Sequence, residues 1–437
     1  MTTRREFLGA VGLPAAWAAA GLSVRPTLLR ADALDIGREL AGHSGGAAEM
    51  ADDEDFWALV QRAFDVDRSL VNLNNGGVSP APAFVMEAQR RHLEFSNHAP
   101  PVAMWRILEP QREGVRQRMA RAWGVDTEEV ALTRNASEGL QICQMGFDLE
   151  PGDEVLTSTQ DYPRMIQTFR QRERREGIVM RQIRLPVPAE DPAEVVRRFE
   201  AGITPRTRLI LACHMINLTG QILPVRELVA MARRHDIPLI VDGAHALAHF
   251  DFTLDELACD YYATSLHKWL FAPIGTGLLY VRRDLIEDLW PLQAPPVGKE
   301  GDIRKFEEIG THPAAPYLAV AEALTFHEGL GPQRKAARLV HLRDSWARRL
   351  LEHDRVRLHT SLEPGFACGI ANVEVEGLDT VALVDWLWAE HRILTTPIVH
   401  DEFQGIRVSP SVYTTPEELD RFVEAVESAL RTGLASA

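Results

Sequence analysis

The chain has few cysteines, few lysines and no apolar run beyond its N-terminus that is long enough to span a membrane. Its four cysteines lie far apart, with no CxxC pair and no cluster of histidines: Cys143, Cys213, Cys259 and Cys368. That spacing excludes zinc and iron–sulfur sites, so the sequence predicts no metal site. A formal net charge of -15 argues against nucleic acid as a partner, and the lack of a membrane-length run argues against stable membrane insertion.

Lysine is the scarcest charged residue, because the 47 basic side chains comprise 43 arginines and four lysines. Lys299, Lys305 and Lys335 have polar or charged neighbours in the sequence, which predicts solvated and protonated amines. Lys268 is flanked instead by apolar and aromatic residues. Desolvation in such surroundings lowers the pKa of a lysine and leaves its amine available as a nucleophile. The alternative is an ordinary solvated lysine at the end of a strand.

Two short apolar runs end on residues that suit catalysis. The first, 237–241, leads into Asp242 and His245, and the second, 261–265, leads into Lys268. Both are typical of buried parallel strands, whose carboxyl ends bind ligands in open α/β sheets. A lysine that forms a Schiff base with an aldehyde, beside a carboxylate that keeps a ring nitrogen protonated, fits the chemistry of pyridoxal 5'-phosphate.

The order of strands and helices predicts an α/β fold. Strand-like runs at 129–133, 154–157 and 208–212 alternate with helical patterns. Such alternation is typical of a three-layer α/β/α domain with a mainly parallel sheet. Because 437 residues exceed a single core, we also expect a smaller α+β C-terminal domain. Its strand–helix–strand order indicates a βαβ-like unit: 370–375, 381–391 and 405–409.

The N-terminus carries the pattern of an export signal. The pair Arg4–Arg5 precedes Phe7, Leu8 and an Ala-rich apolar segment that ends near Leu22. Paired arginines before such a short segment resemble the twin-arginine signal. The sequence therefore predicts export by the twin-arginine machinery and a periplasmic or exported location. The alternative is a chance arginine pair on an amphipathic helix.

Composition breaks suggest the domain boundaries. The stretch 291–298 contains three prolines and a glycine, and it marks the crossover toward the small domain. Residues 34–52 are weakly patterned, which predicts a loose leader. The predicted organisation is as follows: signal peptide 1–33, leader or linker 34–52, large cofactor-binding domain with an N-terminal arm 53–295, and crossover helices with the small C-terminal domain 296–437.

Four further residues are candidates for ligand binding. Ala136 and Ser137 follow a strand at the start of a helix, where free N–H groups bind anions; ordinary capping by Ser137 is the alternative. Asn75 lies in a glycine turn that allows the backbone to approach a ligand. Arg407 is placed on a strand to bind a substrate carboxylate, with a surface ion pair as the alternative.

Five motifs occur in order within residues 70–430. They are Asn217-Leu218-Thr219-Gly220, Val241-Asp242-Gly243-Ala244-His245, Ser265-Leu266-His267-Lys268-Trp269, Glu308-Ile309-Gly310-Thr311 and Arg407-Val408-Ser409-Pro410. Together they resemble the class V aminotransferase family of fold-type I pyridoxal phosphate enzymes, and within it the isopenicillin N epimerase-like branch. The resemblance implies a homodimer with shared active sites.

The resemblance also implies a role for each site residue. Lys268 would hold the cofactor aldehyde and carry protons, Asp242 would pair with the ring nitrogen, and Asn217 would bind the phenolic oxygen with His245 close to it. Tyr162 would stack on the ring, although a tyrosine that caps a βα loop is the alternative. Arg407 would bind the substrate carboxylate, with Asn75 near the substrate. The phosphate ligands would be Ala136, Ser137, Ser265, His267 and, from the partner subunit, Thr311.

The chain lacks the nucleophilic cysteine of one group within the family, which argues against that group's activity. Cysteine desulfurases carry a nucleophilic cysteine on a loop before the carboxylate-binding arginine, where this chain has Thr395-Thr396-Pro397-Ile398-Val399. We therefore expect an aminotransferase or epimerase acting on an amino acid or a peptide amine, as in periplasmic siderophore or secondary-metabolite tailoring. A carbon–sulfur lyase and a non-catalytic binding protein of the same fold are the alternatives.

Overall fold

The structure is a computed structural model that describes residues 31–43 and 45–434. The proposed export signal at Arg4–Arg5 lies outside the described residues. The strands are β1 (Val71–Asn72), β2 (Val130–Thr133), β3 (Glu154–Ser158), β4 (Val179–Ile183), β5 (Thr207–Cys213), β6 (Leu239–Asp242), β7 (Tyr261–Ser265), β8 (Gly277–Val281), β9 (Val356–Leu358), β10 (Ala371–Val375), β11 (Ile393–Leu394), β12 (Thr396–Val399) and β13 (Gln404–Val408).

Helices occupy most of the remaining chain. The α-helices of three or more turns are Ala31–Gly42, Ala83–His98, Glu109–Ala122, Ala136–Gly146, Pro163–Glu176, Pro192–Gly202, Val320–Leu330, Pro332–Leu350, Thr380–His391 and Pro416–Thr432. Shorter helices are Glu54–Arg62, Pro100–Val102, Thr127–Glu129, Val225–Arg234, Leu254–Leu257, Arg283–Leu285, Ile303–Glu307 and Ala315–Leu318, and Ala103–Leu108 is a π-helix. Among the helices described, none combines the length and hydropathy needed to cross a bilayer.

The central sheet has seven strands in the order β2-β8-β7-β6-β5-β3-β4. Strand β8 runs antiparallel to both of its neighbours, and the other adjacent pairs are parallel. Alternate residues of one strand reach opposite faces, because side chains alternate along a strand. Leu209 and Leu211 pack with the helices Ala136–Gly146 and Pro163–Glu176, whereas Ile210 packs with the core on the other side of the sheet. The predicted three-layer α/β/α arrangement is confirmed.

The C-terminal part forms a second sheet in the order β12-β13-β10-β9. All three strand pairs are antiparallel. A βαβ unit would make β10 and β13 parallel, so the predicted βαβ-like unit was wrong in the direction of these strands. Strand β12 supplies the reason: it reverses the chain just before β13, so β13 returns antiparallel to β10. The short strand β1 pairs with β11, which attaches the N-terminal arm to this sheet rather than to the central one.

The predicted loose leader contains a helix. Residues Ala31–Gly42 are helical, and Leu40 is buried in the main apolar core. The guanidinium of Arg334 donates to the carbonyl oxygens of Leu40 and His43, which ties the end of this helix to the crossover region. Glycines allow the close contact, since a Cβ on Gly329 would lie 2.7 Å from the carbonyl oxygen of Gly37.

Two lysines predicted to be solvated are buried, which corrects that prediction. Lys335 is 0% exposed and Lys305 is 3% exposed. Sequence neighbours mislead here because successive residues of a helix point in different directions. Lys335 lies on the inward face of Pro332–Leu350, and Lys305 donates to the carbonyl oxygen of Ile286.

Candidate active site

A cavity of about 330 Å³ opens at the carboxyl ends of the central strands. The ends of β2, β3, β5, β6 and β7 each deliver polar residues to this place because their strands run in the same direction. The lining residues are Gly77, Asn135, Ala136, Ser137, Leu140, Tyr162, Arg164, Cys213, Met215, Asn217, Asp242, Ala244, His245, Ser265, His267 and Lys268. Nine of the twelve candidate site residues are among them: Ala136, Ser137, Tyr162, Asn217, Asp242, His245, Ser265, His267 and Lys268.

Lys268 lies on the loop that follows β7, and its amine contacts a histidine. The distance from Lys268 Nζ to His245 Nε2 is 3.0 Å. Burial lowers the pKa of Lys268 to about 8, while the charge of Asp242 acts in the opposite direction. Burial also lowers the pKa of His245 well below its ordinary value, so the ring is neutral near pH 7. The amine therefore has a neutral proton acceptor beside it and is partly unprotonated at mildly alkaline pH.

Asp242 ends β6 as a buried carboxylate. Burial raises the pKa of Asp242 to about 6. Two smaller effects act in the opposite direction: the backbone N–H of Ala244 donates to Oδ1 at 3.0 Å, and the charge of Lys268 lies nearby. Above that pH the group is an anion in a place largely closed to water, which favours a cationic partner. It is thus suited to hold a protonated ring nitrogen.

A nearby acid orders the strand ends behind the cavity. Asp161 accepts hydrogen bonds from the hydroxyl groups of Thr157 and Ser158, from the N–H of Ser158, and from the N–H of Cys213. These bonds join the end of β3 to the end of β5. They also fix the turn that carries Tyr162, which is 37% exposed and begins the helix Pro163–Glu176.

The start of the helix Ala136–Gly146 forms the opposite end of the cavity. Asn135 caps this helix by accepting from the N–H of Glu138, and the N–H of Ala136 donates to Ser265 Oγ at 2.9 Å. His267 Nδ1 lies 3.1 Å from the carbonyl oxygen of Thr276, which leaves Nε2 as the free ring nitrogen. Helix N–H groups and a hydroxyl are donors that suit a phosphate, whereas Nε2 of the neutral His267 ring is an acceptor and would donate only when the ring is protonated.

Arg407 lies behind Asn217 and is nearly closed to solvent. Its guanidinium donates to the carbonyl oxygen of Asn217 at 3.1 Å and to Asn74 Oδ1 at 2.7 Å, and Thr396 Oγ1 lies 3.5 Å away. Burial lowers the pKa of Arg407 to about 10, and Nε has no partner among the described residues. No carboxylate pairs with it in the part of the chain that the structure describes. This buried cation has only neutral partners.

Asn75 does not face the cavity. Its amide nitrogen donates to the carbonyl oxygens of Asn72 and Ser409, and its oxygen accepts from the Tyr413 hydroxyl at 2.7 Å. These bonds occupy the side chain in joining the N-terminal arm to β13, so the structure does not bring Asn75 to the substrate position. The neighbouring Asn74 contacts Arg407 instead, and the Asn74-Asn75 pair in the sequence gave no means of choosing between them.

Thr311 also lies away from this cavity. It lines a second cavity, of about 410 Å³, among ion-paired side chains that include Arg112, Arg116 and Glu307. Within one chain, Thr311 and the phosphate donor set are therefore not brought together. Its contribution to the partner's site remains a prediction.

Sequence reasoning missed several residues at or beside the cavity. Arg164 and Cys213 line it, and His249 lies directly behind His245. Arg164 follows Tyr162 by two residues at the same strand end, which was the available signal for it. Nothing local in the sequence places Cys213 beside Asp242; the pairing of β5 with β6 does so.

The unpaired polar atoms of the cavity indicate whether pyridoxal phosphate fits it. Two buried atoms of lining residues have no hydrogen-bond partner among the described residues, Asn217 Oδ1 and His245 Nδ1. Buried polar groups normally have partners, so their lack of one marks a place for a polar ligand. With a desolvated lysine, a buried acid and a phosphate-type donor set, the residues present fit the cofactor.

Comparison with known proteins agrees with this geometry. The model of the family described as "Aminotransferase class-V" matches residues 71–422. The chain belongs to the class V aminotransferase family. It is accordingly a pyridoxal phosphate-dependent enzyme with the fold of the fold-type I enzymes.

Individual members of the family resemble the chain over most of its length. Isopenicillin N epimerase from Streptomyces clavuligerus is 32% identical over 397 residues, covering 85% of this chain and 98% of the relative. A structure of a C-DES mutant with glycine covalently linked to its PLP cofactor has a TM-score of 0.73 at 24% identity, covering 82% of this chain and 96% of that chain, and shows the common fold. The cystine C–S lyase C-DES with its product cysteine persulfide also has a TM-score of 0.73, at 25% identity, with 82% and 97% covered.

Proposed function

We propose that this class V enzyme acts at the α-carbon of an amino acid, or of an amino-acid residue in a peptide, as an epimerase or an aminotransferase. The observation that carries the proposal is Arg407, a buried guanidinium with only neutral partners among the described residues. Burying a cation without an anion is costly, and a substrate carboxylate offers two oxygens in the geometry of the guanidinium fork. The similarity to isopenicillin N epimerase supports the same class of substrate.

The roles proposed for the chain's residues follow from their placement. When bound, the cofactor supplies an electron-accepting ring that stabilises negative charge at the α-carbon. Lys268 would hold the cofactor and then carry a proton at the α-carbon, with His245 Nε2 at 3.0 Å as its proton acceptor. Asp242 would hold the ring nitrogen protonated, and Ala136, Ser137, Ser265 and His267 would hold the phosphate.

Arg407 would align the carboxylate and so select the bond at the α-carbon that breaks. Tyr162 is partly exposed at the cavity wall, which suits a ring that covers the cofactor. A partner subunit would complete the phosphate site with its Thr311. This last step requires the homodimer that we propose.

A panel assay tests the proposed reaction. We expect the holoenzyme in D₂O to exchange the α-proton of at least one member of a panel of free amino acids and siderophore-type peptides, followed by mass spectrometry. Inverted stereochemistry identifies an epimerase, and amine exchange with an added keto acid identifies an aminotransferase. A holoenzyme that exchanges no α-proton across the panel contradicts the proposal and favours a binding protein.

The same panel run on Arg407→Lys examines the carboxylate contact. Lysine keeps the charge but cannot form two parallel hydrogen bonds, so we expect KM for carboxylate-bearing substrates to rise by about 10- to 100-fold. Arg357→Lys is the matched control, because Arg357 is exposed on the same C-terminal sheet. An unchanged KM in Arg407→Lys would remove Arg407 from substrate recognition.

A carbon–sulfur lyase is the second candidate, favoured by the similarity to C-DES. Release of pyruvate and a thiol from cysteine conjugates in the panel would identify it. A sulfur-accepting desulfurase is disfavoured, because 396–399 form β12 rather than a cysteine-bearing loop. The cysteines of the described chain are all buried, and burial raises the pKa of the cavity-lining Cys213 well above its ordinary value.

We also propose that the enzyme is exported as a folded protein through the twin-arginine pathway, supported by the Arg4–Arg5 motif. In a bacterial host that has this pathway, Arg4→Lys combined with Arg5→Lys is expected to shift the protein from the periplasmic to the cytoplasmic fraction. Arg25→Lys combined with Arg30→Lys is the matched control. Periplasmic recovery of the Arg4 and Arg5 double variant would exclude this route.

A further inference from the structure

Lys335 is a buried amine that the proposed chemistry does not use. It lies on the inward face of Pro332–Leu350 with 0% exposure, and its Nζ donates to the carbonyl oxygen of Trp269. The amine also lies 4.0 Å from the centre of the Phe271 ring. Both of these contacts, a carbonyl oxygen and an aromatic ring, are uncharged groups. A buried amine without a carboxylate costs stability compared with an apolar side chain of similar size, so stability does not explain its presence.

The carbonyl group that Lys335 holds belongs to the residue directly after Lys268. Strand β7 ends at Ser265, so Lys268 and Trp269 lie on a loop that the sheet ladder does not support. Two backbone bonds close this loop, from Leu266 N to Thr276 O and from Ala272 N to Leu266 O. The contact from Lys335 adds an anchor from a crossover helix, placed next to the catalytic candidate itself.

His249 holds the other half of the Lys268–His245 pair. Its Nε2 accepts from the N–H of Gly369 at 2.9 Å, so Nδ1 carries the hydrogen that reaches the carbonyl oxygen of His245 at 2.8 Å. The imidazole ring stacks on the Trp269 ring with a centroid distance of 3.6 Å and an interplanar angle of 14°. Lys335 and His249 therefore each hold a backbone carbonyl group next to the reacting pair. Lys335 contacts that of Trp269, directly after Lys268, and His249 contacts that of His245 itself.

We propose that Lys335 and His249 are positioning residues that fix the Lys268 amine against His245 and keep water away from it. Lys335 restrains the peptide that follows Lys268, His249 restrains the peptide of His245, and the Trp269 ring couples the two. The proposal rests on the proposed role of Lys268 as the cofactor-binding lysine. It assigns neither residue a contact with substrate.

The charged surroundings of both amines bear on any titration. The charges of Asp242, Arg407 and Cys213 affect the pKa of Lys268. The charge of Lys268 in turn lowers the pKa values of His245 and His267. Lys335 influences His249, His327 and Cys368. Burial is the largest cause of the lowered pKa of Lys268, so loosening the loop and admitting water should move that pKa upward.

The test measures how the binding of pyridoxal phosphate to Lys268 of the apoenzyme, called capture here, depends on pH. The readout is the rise in absorbance at about 420 nm after pyridoxal phosphate is added. Capture needs the free amine, so its midpoint reports the pKa of Lys268, expected at about 8 in the unmodified chain. In Lys335→Met we expect the midpoint to rise by about one unit, which makes capture at pH 7 about tenfold slower. No amino-acid substrate is present, so this result is independent of the reaction type.

Arg338→Met is the matched control. Arg338 lies on the same helix, is equally buried, and donates to Ala51 and Glu54, away from the Lys268 loop. It should lower the melting temperature without moving the capture midpoint. An unmoved midpoint in Lys335→Met, or an equal shift in both variants, overturns the proposal.

A second variant decides the question if Lys335→Met does not fold. His249→Phe keeps a flat ring against Trp269 but removes the hydrogen bonds to His245 and Gly369. We expect the same upward shift of the capture midpoint in His249→Phe. A midpoint equal to that of the unmodified chain would overturn the proposal by itself.

Discussion

Lys268→Ala is expected to lose the cofactor absorbance at about 420 nm, which borohydride bleaches as it fixes the cofactor to the lysine, and to lower turnover by about three orders of magnitude or more. The reason is that no other lysine is able to replace it. Lys335 is held behind the loop by the Trp269 carbonyl group, Lys305 donates to backbone carbonyl groups, and Lys299 lies 3.7 Å from Asp302. Among the lysines that the structure describes, Lys268 alone lines the cavity.

Lys299→Ala is the matched control for this experiment, because it removes a partly exposed lysine by the same change. We expect it to keep the absorbance and the activity. Peptide mapping after borohydride treatment should place the fixed cofactor on Lys268. A fixed chromophore that persists in Lys268→Ala would refute the assignment of this lysine, and with it the positioning role proposed for Lys335.

Asp242→Asn is expected to retain the cofactor but to lower turnover by about 10²- to 10⁴-fold, or about 3 to 5.5 kcal/mol of activation free energy. Asparagine has nearly the same shape and still accepts from the N–H of Ala244, so the turn after β6 should persist. It lacks the negative charge that keeps a ring nitrogen protonated. Spectral titration with the cofactor and steady-state kinetics separate binding from turnover.

The pH profile provides the check on Asp242. Its raised pKa of about 6 means that the carboxylate is present above that pH and is lost as the pH falls through it. A protonated ring nitrogen beside the carboxylate would lower this pKa, so turnover of the unmodified enzyme should decline at a pH below about 6, and Asp242→Asn should lack this limb. Asp284→Asn, at an exposed ion pair with Arg282, should behave like the unmodified enzyme. Near-native turnover in Asp242→Asn would contradict the proposed role.

The order of the elements could be predicted because hydrophobic periodicity is a local property of the chain. The strand predicted at 154–157 is observed as Glu154–Ser158, and the strand predicted at 208–212 is observed within Thr207–Cys213. Strands β4 and β12 were missed: β4 contains the polar residues Arg181 and Gln182 at the edge of the sheet, and β12 contains Pro397. Neither has the continuous apolar run that marks a central strand.

The assembly of the cavity could also be predicted, since parallel strands bring their carboxyl ends to one edge. Asp242, His245 and Lys268 were placed together on that basis, and they line one cavity. The direction of an individual side chain, by contrast, does not follow from the order of the strands. Asn74 rather than Asn75 contacts Arg407, because adjacent residues in a turn point in different directions.

The sequence by itself determined the alternation of strands and helices, the polar residues at the strand ends and the family, because each depends on local pattern. Only the tertiary structure decided that Lys335 is buried and that Arg407 has no acidic partner among the described residues. It also decided that the helix Ala31–Gly42 packs on the core. The physical reason is that burial and pairing depend on residues hundreds of positions apart in the chain, which periodicity does not record.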